Sequence, residues 1–166
     1  MIENKTHVYF LYSKDFLSNF HPSEYTVDGN KFYCVEQGYQ YEKAMFFGDV
    51  DIANEILLAR NPYDHKRLGR SIHGFDENLW VGEVSVKAMH KHCYEKFSQN
   101  TDLCELLLIT GNRCIVEASD KDTFWGCGIK IDNPLLFETN WWTGRNILGR
   151  ILVQVRHNLR SKRTIF

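Results

Sequence analysis

The spacing of hydrophobic positions along this chain changes near residue 35. Before that point, short aromatic and β-branched runs at 7–12, 25–27 and 31–33 are typical of strands. The segment Asp28-Gly29-Asn30, between the last two runs, is typical of a tight hairpin turn. The sequence therefore predicts a small N-terminal β-sheet of two or three strands.

From Val35 onward, apolar residues recur at spacings of three and four, which predicts amphipathic helices. Asp76 is a good N-cap for one long helix whose apolar stripe runs from Leu79 through Gly82 to Phe97. The remaining predicted elements are helices at 35–47, 50–60, 62–69 and 102–110, a strand at 113–118, and a C-terminal helix carrying Leu148, Ile151, Leu152, Val155 and Leu159. The predicted fold class is mainly α, or α+β, with helices dominating a minor sheet.

Composition narrows the class of protein. The chain has 166 residues, 43% of them hydrophobic and 25% charged, which suits one globular domain over residues 1–166. Its net charge of -1 argues against a sequence-independent DNA binder or a polybasic membrane surface. Five cysteines without a C-x-x-C pair, no signal-peptide pattern and no long apolar run favour a reduced, soluble, cytoplasmic protein that does not enter a membrane.

A polar stripe on the first predicted helix is the first candidate site. Glu36, Gln40, Lys43 and Phe47 follow one another at i, i+4, i+7 and i+11, so they share one helix face. Together they place an acid, an amide and an amine within reach of one ligand. The same spacing also fits a solvated face on which Glu36 and Lys43 only support the helix.

The segment 117–128 is a second candidate. Several carboxylates, including that of Asp122, occur beside Trp125 and the glycines Gly126 and Gly128. Glycine lets the backbone approach a ligand closely, and a tryptophan ring can stack on a planar base. A structural turn around a core tryptophan explains the same residues equally well.

Two further segments are candidates for binding an anion. Gly144 and Asn146 come just before the C-terminal helix, where they can present backbone N–H groups or simply cap the helix. Lys66 and Arg70 belong to a short basic segment that either holds a phosphate or forms a wet surface.

Several common chemistries have no motif in this chain. It lacks a P-loop, a G-x-G-x-x-G, a G-x-S-x-G and an H-E-x-x-H pattern, which excludes the usual NTPases, dinucleotide binders, serine hydrolases and zincins. His90, His92 and Cys93 are close in sequence, but helix positions two apart point in different directions. We therefore predict no metal site there.

Short motifs spread from residue 17 to residue 149 occur in a characteristic order. They are Leu17-Ser18-Asn19-Phe20, Val35-Glu36-Gln37 with Gln40 and Lys43, Gly69-Arg70, Trp80, Lys96-Phe97, Glu117, Asp122-Thr-Phe-Trp125-Gly-Cys-Gly128 and Gly144-Arg-Asn146-Ile-Leu-Gly149. In this order they resemble the NADAR family, also called YbiA-like. That family has a mainly helical fold with a small β part, in agreement with the hydrophobic pattern.

The resemblance implies a hydrolase that cleaves an N-glycosidic bond. One branch of the family hydrolyses phosphoribosylated pyrimidine intermediates of riboflavin synthesis, and another removes ADP-ribose from guanine. The implied partner is a small ribosylated or phosphorylated substrate or ADP-ribosylated guanine, and a nucleic acid carrying such a base is a further candidate. No metal or redox cofactor is implied. The stretch 129–143 is longer than in the short riboflavin-linked bacterial members, so the base and sugar stay open.

The resemblance also implies roles for individual residues. Cleavage of a ribosyl C–N bond builds positive charge on the sugar, and Glu36 is expected to stabilise that charge or activate water. Trp125 is expected to stack on the base, and Asp122 to orient the base, the leaving group or a sugar hydroxyl. Lys43 either clamps a phosphate or, with a lowered pKa, opens the ribose as a Schiff base. The expected substrate-binding residues are Asn19, Phe20, Gln40, Arg70, Gly126, Gly128 and Asn146.

A non-catalytic module that binds ADP-ribose or a related nucleotide through the same residues is the alternative function. Glu36 argues against it, because a carboxylate beside an anionic ligand repels that ligand. A protein-interaction domain that uses its aromatic surface is a third interpretation.

Overall fold

A computed structural model describes residues 1–163 of the chain. Their contacts form two compact units, which we call the terminal unit (residues 1–18 and 101–163) and the central unit (residues 19–100). The single domain predicted over residues 1–166 stays a prediction.

In chain order the elements are β1 (Ile2–Glu3), β2 (His7–Phe10), β3 (Tyr25–Val27), β4 (Asn30–Phe32), α1 (Val35–Phe46), α2 (Val50–Leu58), α3 (Pro62–Arg70), α4 (Glu77–Trp80), α5 (Glu83–Gln99), α6 (Thr101–Ile109), β5 (Cys114–Glu117), 3-10 turns at Pro134–Phe137 and Thr139–Trp141, and α7 (Ile147–Arg163).

The terminal unit is built on a three-stranded sheet in the order β1-β2-β5. Strand β1, which the sequence pattern missed, pairs antiparallel with β2, and β5 pairs parallel with β2, with Val8 opposite Ile115. The five apolar residues predicted as one stripe of the C-terminal helix are all buried on α7. The core of this unit also includes Tyr9, Val116, Ala118, Cys127 and Leu136.

The central unit begins with the predicted hairpin. Strands β3 and β4 pair antiparallel, and Val27 lies opposite Asn30, so only Asp28 and Gly29 form the loop. Both loop residues have positive φ, 49° and 82°. This conformation is the one a two-residue type I′ turn requires, and Asp-Gly is among its preferred sequences. The hairpin prediction is therefore confirmed.

Backbone hydrogen bonds fix both ends of α1. At its start, the Glu36 N–H donates to the Asn19 carbonyl at 3.0 Å, which satisfies one of the unpaired N–H groups of the first turn. At its end, Gly48 has φ 73° and its N–H donates to the Met45 carbonyl. The Asp49 N–H reaches the Ala44 carbonyl at 3.0 Å, which completes a glycine C-cap.

The prediction of one long helix after Asp76 is wrong. Asp76 does cap a helix, accepting from the Asn78 N–H at 2.8 Å, but α4 ends at Trp80 and α5 starts again at Glu83. Gly82 between them has φ 127°, which only glycine adopts readily, so the helix cannot continue through it. Apolar spacing did not reveal this break, because Leu79 has helical spacing although its side chain is 59% exposed.

Among residues 1–163, no helix combines the length and the apolar character needed to cross a lipid bilayer.

Candidate active site

Two residues of the polar stripe on α1, the acid Glu36 and the amide Gln40, are buried. Glu36 is 6% exposed and Gln40 is 8% exposed, so the interpretation of these two residues as part of a solvated helix face is wrong. The side-chain amide of Gln40 donates from Nε2 to Glu36 Oε1 at 2.9 Å. This bond satisfies one carboxylate oxygen and fixes the direction of the Glu36 side chain on the helix.

Gly69 on α3 is the point where Gln40 and Lys43 meet the neighbouring helix. The Lys43 ammonium donates to the Gly69 carbonyl at 2.8 Å. A Cβ added at Gly69 would overlap the Gln40 Oε1 atom. Only glycine at this position lets α3 approach the Gln40 amide this closely, so Gly69 shapes the site without presenting a side chain.

The Lys43 ammonium is partly withdrawn from water. Its nitrogen lies 3.9 Å from the centroid of the Phe75 ring, in the geometry of a cation–π contact. Burial lowers the pKa of Lys43; the Glu36 carboxylate opposes this shift, and the positive charge of Arg70 adds to it. The negative charge of Glu36 and the positive charge of Arg70 therefore both act on Lys43, which is compatible with both roles predicted for it.

Phe75 is a site residue that the sequence did not indicate. It follows α3 in the segment before α4, outside any helical period, and its ring is 42% exposed. The Phe47 ring packs on it at a centroid distance of 5.4 Å. Phe47 was placed on the polar stripe by its spacing, and it supports the wall against which Lys43 lies.

Arg70 and Lys66, the predicted phosphate ligands, are exposed on α3. Arg70 ends the helix beside Gly69, and its charge reaches Lys43. Both cations are therefore on the exposed surface of α3, and their role as phosphate ligands stays a prediction.

Asn19 and Phe20 lie in the segment that leads toward the hairpin. The Asn19 carbonyl accepts from the Glu36 N–H, and its side-chain amide donates to the Met89 sulfur at 3.3 Å. The Phe20 ring packs edge-on against Tyr63 at 5.2 Å. Asn19 therefore helps to position α1, and the predicted substrate contacts of both residues stay predictions.

Asp122 and Trp125 belong to the terminal unit. One carboxylate oxygen of Asp122 accepts from the Phe124 N–H at 3.1 Å and from the Trp125 N–H at 2.8 Å, so the side chain closes a turn. Trp125 is half-buried, and its ring lies nearly perpendicular to Phe124 at 4.8 Å. Asp122 therefore fixes the backbone that carries the predicted stacking residue.

The predicted ligand-binding glycines and Asn146 make close structural contacts. A Cβ on Gly126 would crowd the Asp122 carbonyl, and one on Gly128, where φ is 79°, would overlap the hydroxyl of Thr143. The Asn146 side chain accepts from the N–H of Glu117 at 3.0 Å and donates to the carbonyl of Ile115 at 2.9 Å. These contacts tie the start of α7 to β5, and a role in substrate binding stays a prediction.

Gln37 is a buried polar residue whose role the sequence did not reveal. Its side-chain oxygen accepts from the Tyr33 N–H at 2.8 Å, and its amide donates to the carbonyls of Ile56 at 2.9 Å and Ala59 at 3.2 Å. Gln37 therefore joins α1 to the residue after β4 and to the end of α2, and it belongs to the scaffold. In the part of the chain that the structure describes, no group of three or more His, Cys, Asp and Glu side chains is arranged to hold a metal ion.

Fold and site together define the class of this protein. It is a helix-dominated α+β protein with a buried acid–amide pair and a lysine on one helix, which confirms the predicted fold class. The NMR structure of the E. coli protein YbiA is similar, with a TM-score of 0.79 and 27% sequence identity. The match covers 98% of this chain and 90% of that chain.

The family follows from the sequence matches. The family model described as the NADAR domain matches residues 9–160, and the chain belongs to this family, as its motifs predicted. Protein irg-1 of Caenorhabditis elegans is 44% identical over 131 residues, which are 78% of this chain. The match covers 61% of irg-1, so this chain spans less than two thirds of that relative. N-glycosidase R617 of Acanthamoeba polyphaga mimivirus is 34% identical over 134 residues, covering 76% of this chain and 74% of the relative.

Proposed function

We propose that this chain is an N-glycosidase, a hydrolase that cleaves the bond between a nucleobase-like ring and C1 of a ribose or phosphoribose. The observation that carries the proposal is the buried Glu36, held by Gln40 on the same helix face as Lys43. Membership of the NADAR family and the N-glycosidase name of a relative support the same activity.

The chemistry explains why a buried carboxylate is useful here. Breaking a ribosyl C–N bond develops positive charge at C1 and on the ring oxygen. A carboxylate held in a fixed direction stabilises that charge more strongly than water does, because it need not reorganise as the charge forms. Glu36 fits this role or that of a base that activates the attacking water, and Gln40 holds it in place.

Lys43 and Arg70 supply the positive side of the site. If Lys43 acts as a clamp, it attracts the phosphate end of the substrate together with Arg70. If Lys43 acts as a nucleophile, its amine bonds to C1, the base leaves with a proton, the ring opens to an imine, and water then releases the sugar and the free lysine. Trp125 is assigned to stacking on the base, and Asp122 to holding the Trp125 segment or orienting the substrate.

Two substrate classes share the bond in question. They are ribosylamino-pyrimidine phosphates of the riboflavin pathway and guanine that carries ADP-ribose, free or in a nucleic acid. In both, a planar nitrogen ring is attached to C1 of a ribose with a phosphate at its far end. The exposed cations Lys66 and Arg70 suit that phosphate in either class.

The deciding experiment is a mass-spectrometric screen for released base. Purified protein is incubated with ribosylated pyrimidine phosphates and with ADP-ribosylated guanosine and DNA, and a Glu36→Gln variant is the control. Release of a free pyrimidine base from the first class, or of free ADP-ribose from the guanosine or DNA, by the wild type and much less by the variant supports the proposal. Binding of ADP-ribose with no release from any substrate would overturn it in favour of a nucleotide-binding module.

A further inference from the structure

A chain of three hydrogen-bonded side chains crosses the central unit beside α1. His92 on α5 places Nε2 at 2.8 Å from a Glu42 carboxylate oxygen and Nδ1 at 3.0 Å from the Tyr25 hydroxyl. The Tyr25 hydroxyl also reaches the Cys34 carbonyl, at 3.3 Å. Tyr25 is 3% exposed and His92 is 1% exposed, so this relay, as we call Glu42, His92 and Tyr25, is buried except at Glu42.

The relay contacts α1 along a single stripe. Cys34, Gly38 and Glu42 are spaced by four residues, and each meets the relay or belongs to it. A Cβ on Gly38 would overlap His92 Nδ1, so a glycine is required inside this helix despite its low helix propensity. The relay is therefore one of the anchors that set how α1 is rotated about its own axis, together with the Gln37 hydrogen bonds.

Glu36 and Gln40 lie on the other side of the helix. Glu36 follows Cys34 by two positions, and Gln40 follows Gly38 by two positions. Two positions correspond to a rotation of about 200° around an α-helix. The acid–amide pair of the candidate site therefore points away from the relay. Any rotation of α1 that loosens the relay turns Glu36 by the same angle.

The backbone on both sides of Tyr25, at the buried end of the relay, is hydrogen-bonded to side chains at and just after the end of α5. The Gln99 side chain accepts from the Thr26 N–H at 2.9 Å and donates to the Thr26 carbonyl at 2.8 Å. On the other side of Tyr25, the Glu24 carbonyl accepts from Asn100 at 2.9 Å. The backbone around Tyr25 is thus tied to the end of α5, the helix that carries His92.

Charge strengthens the outer link of the relay. Burial acts to raise the pKa of Glu42, but its hydrogen bonds to His92 and Lys91 and their charges outweigh burial and lower that pKa. Glu42 is therefore an ionised acceptor, and His92 Nε2 carries the hydrogen between them. Charge-assisted hydrogen bonds of this kind are stronger than neutral ones.

We propose that Glu42, His92 and Tyr25 are positioning residues for Glu36. They hold the rotational setting of α1 against α5 and so direct the acid–amide pair toward the substrate. The inference rests on the proposed N-glycosidase function for its kinetic consequence. It goes beyond that function because none of the three residues belongs to the predicted site.

The test removes a single buried oxygen with Tyr25→Phe and compares it with Tyr41→Phe. Tyr41 is also on α1, and its hydroxyl accepts from Asn30 at 3.2 Å without touching the relay. Since misplacing a reacting group by about 1 Å can cost about a hundredfold in rate, we expect Tyr25→Phe to lower kcat at least about tenfold with KM nearly unchanged. Tyr41→Phe should leave kcat within about twofold of the wild type.

Combining Tyr25→Phe with Glu36→Gln separates positioning from a general loss of stability. If Tyr25 acts through Glu36, Tyr25→Phe lowers kcat in the wild type but causes no further loss in the Glu36→Gln background. Equal losses in both backgrounds would overturn the inference.

A readout without substrate keeps the inference distinct from the proposed activity. The side-chain amide NMR signal of Gln40 reports its hydrogen bond to Glu36, and we expect Tyr25→Phe to shift it and Tyr41→Phe to leave it in place. A wild type that cleaves nothing would overturn the proposed function, while the Gln40 signal would still decide on positioning. An unmoved Gln40 signal in Tyr25→Phe would overturn the inference.

Discussion

The side-chain amide of Gln40 donates a 2.9 Å hydrogen bond to Oε1 of Glu36, one helical turn earlier on α1. An ionised carboxylate only accepts hydrogen bonds, so the amide must turn its N–H toward Glu36 and its oxygen away. That oxygen packs against Gly69 and has no hydrogen-bond partner among the described residues. Gln40 thus gives up one hydrogen bond of its own and holds the Glu36 carboxylate in one direction.

Glu36→Gln is expected to leave the fold intact and lower the rate of base release at least about a hundredfold, the usual scale for an electrostatic or acid–base group. Glutamine keeps the shape of the side chain and removes its charge. The measurements are kcat by base release and the melting temperature by circular dichroism. Glu55→Gln, on an exposed position of α2, is the matched control and should keep wild-type kcat.

Two results would contradict the assignment of Glu36. A kcat within about threefold of the wild type would exclude a catalytic role. Unfolding of the variant would indicate a structural role.

Gly69→Ala is expected to impair the site although alanine favours helices. The new Cβ would overlap the Gln40 amide oxygen, so Gln40 must move and its bond to Glu36 is lost. We expect kcat to fall at least about tenfold, because a misplaced catalytic group lowers the rate on this scale. In a Gln40→Ala background the clash is absent, and Gly69→Ala should raise the melting temperature because alanine exceeds glycine in helix propensity by about 1 kcal/mol. A destabilising effect of Gly69→Ala in that background would exclude the clash as the cause.

The sequence predicted those parts of the molecule that local spacing controls. The hairpin follows from the Asp28-Gly29 turn, and the polar face of α1 follows from the four-residue step between Glu36 and Gln40. The break at Gly82 was missed because hydrophobic spacing carries no information about φ.

Contacts between distant residues could not be predicted in the same way. Lys43 meets the Gly69 carbonyl across 26 residues, and its contact with Phe75 depends on how the segment after α3 folds. Asn146 resembles a ligand-binding residue in the sequence, yet its amide binds β5 backbone that lies 29 and 31 residues earlier. A polar side chain near a helix start looks the same whether its partner is a substrate or a strand.

Trp125→Ala is expected to weaken ligand binding more than stability. Loss of one stacking surface costs about 1–3 kcal/mol of affinity, whereas truncating a core tryptophan costs about 3–5 kcal/mol of stability. The half-buried ring of Trp125 is consistent with the smaller structural effect. Titration calorimetry with ADP-ribose and thermal melting measure the two effects. Trp141→Ala, at a 61% exposed position, is the control that should change neither. A large drop in melting temperature with unchanged affinity would reverse the assignment.

His65 is expected to make stability depend on pH. Its Nε2 lies 3.0 Å from the Ala59 carbonyl and its Nδ1 lies 3.7 Å from the Cys34 sulfur, and burial lowers its pKa below 6.5. Below about pH 6.5 the unfolded chain therefore binds more protons than the folded chain, and the free energy of unfolding falls as the pH decreases. The fall continues until the pH passes the lowered pKa of the folded state.

Denaturant unfolding at several values between about pH 5 and pH 7 measures this slope. His65→Gln should flatten it, and the exposed His157→Gln should keep the wild-type slope. Burial also lowers the pKa of His7 and of His90, so part of the slope should remain. A slope unchanged by His65→Gln would show that this imidazole does not control it.

The role of Lys43 distinguishes two mechanisms, a phosphate clamp and a nucleophile, and the two predict different measurable outcomes. The Gly69 carbonyl and the Phe75 ring both stabilise its ammonium form, which suits a phosphate clamp. Burial and the charge of Arg70 lower its pKa, which increases the fraction of neutral amine and suits a nucleophile. Because a clamp needs only charge, which Arg70 already provides, we expect the nucleophile.

Trapping the covalent intermediate tests this expectation directly. Borohydride added during turnover should reduce the imine and leave a sugar-sized mass increment on the peptide that contains Lys43, because reduction turns the reversible bond into a stable secondary amine. Lys43→Arg keeps the charge and removes the nucleophile, so it should lose nearly all activity, whereas Arg70→Lys should remain active and still form the adduct. If turnover is confirmed, no adduct forms and Lys43→Arg keeps substantial activity, then Lys43 is a clamp and water attacks C1 directly.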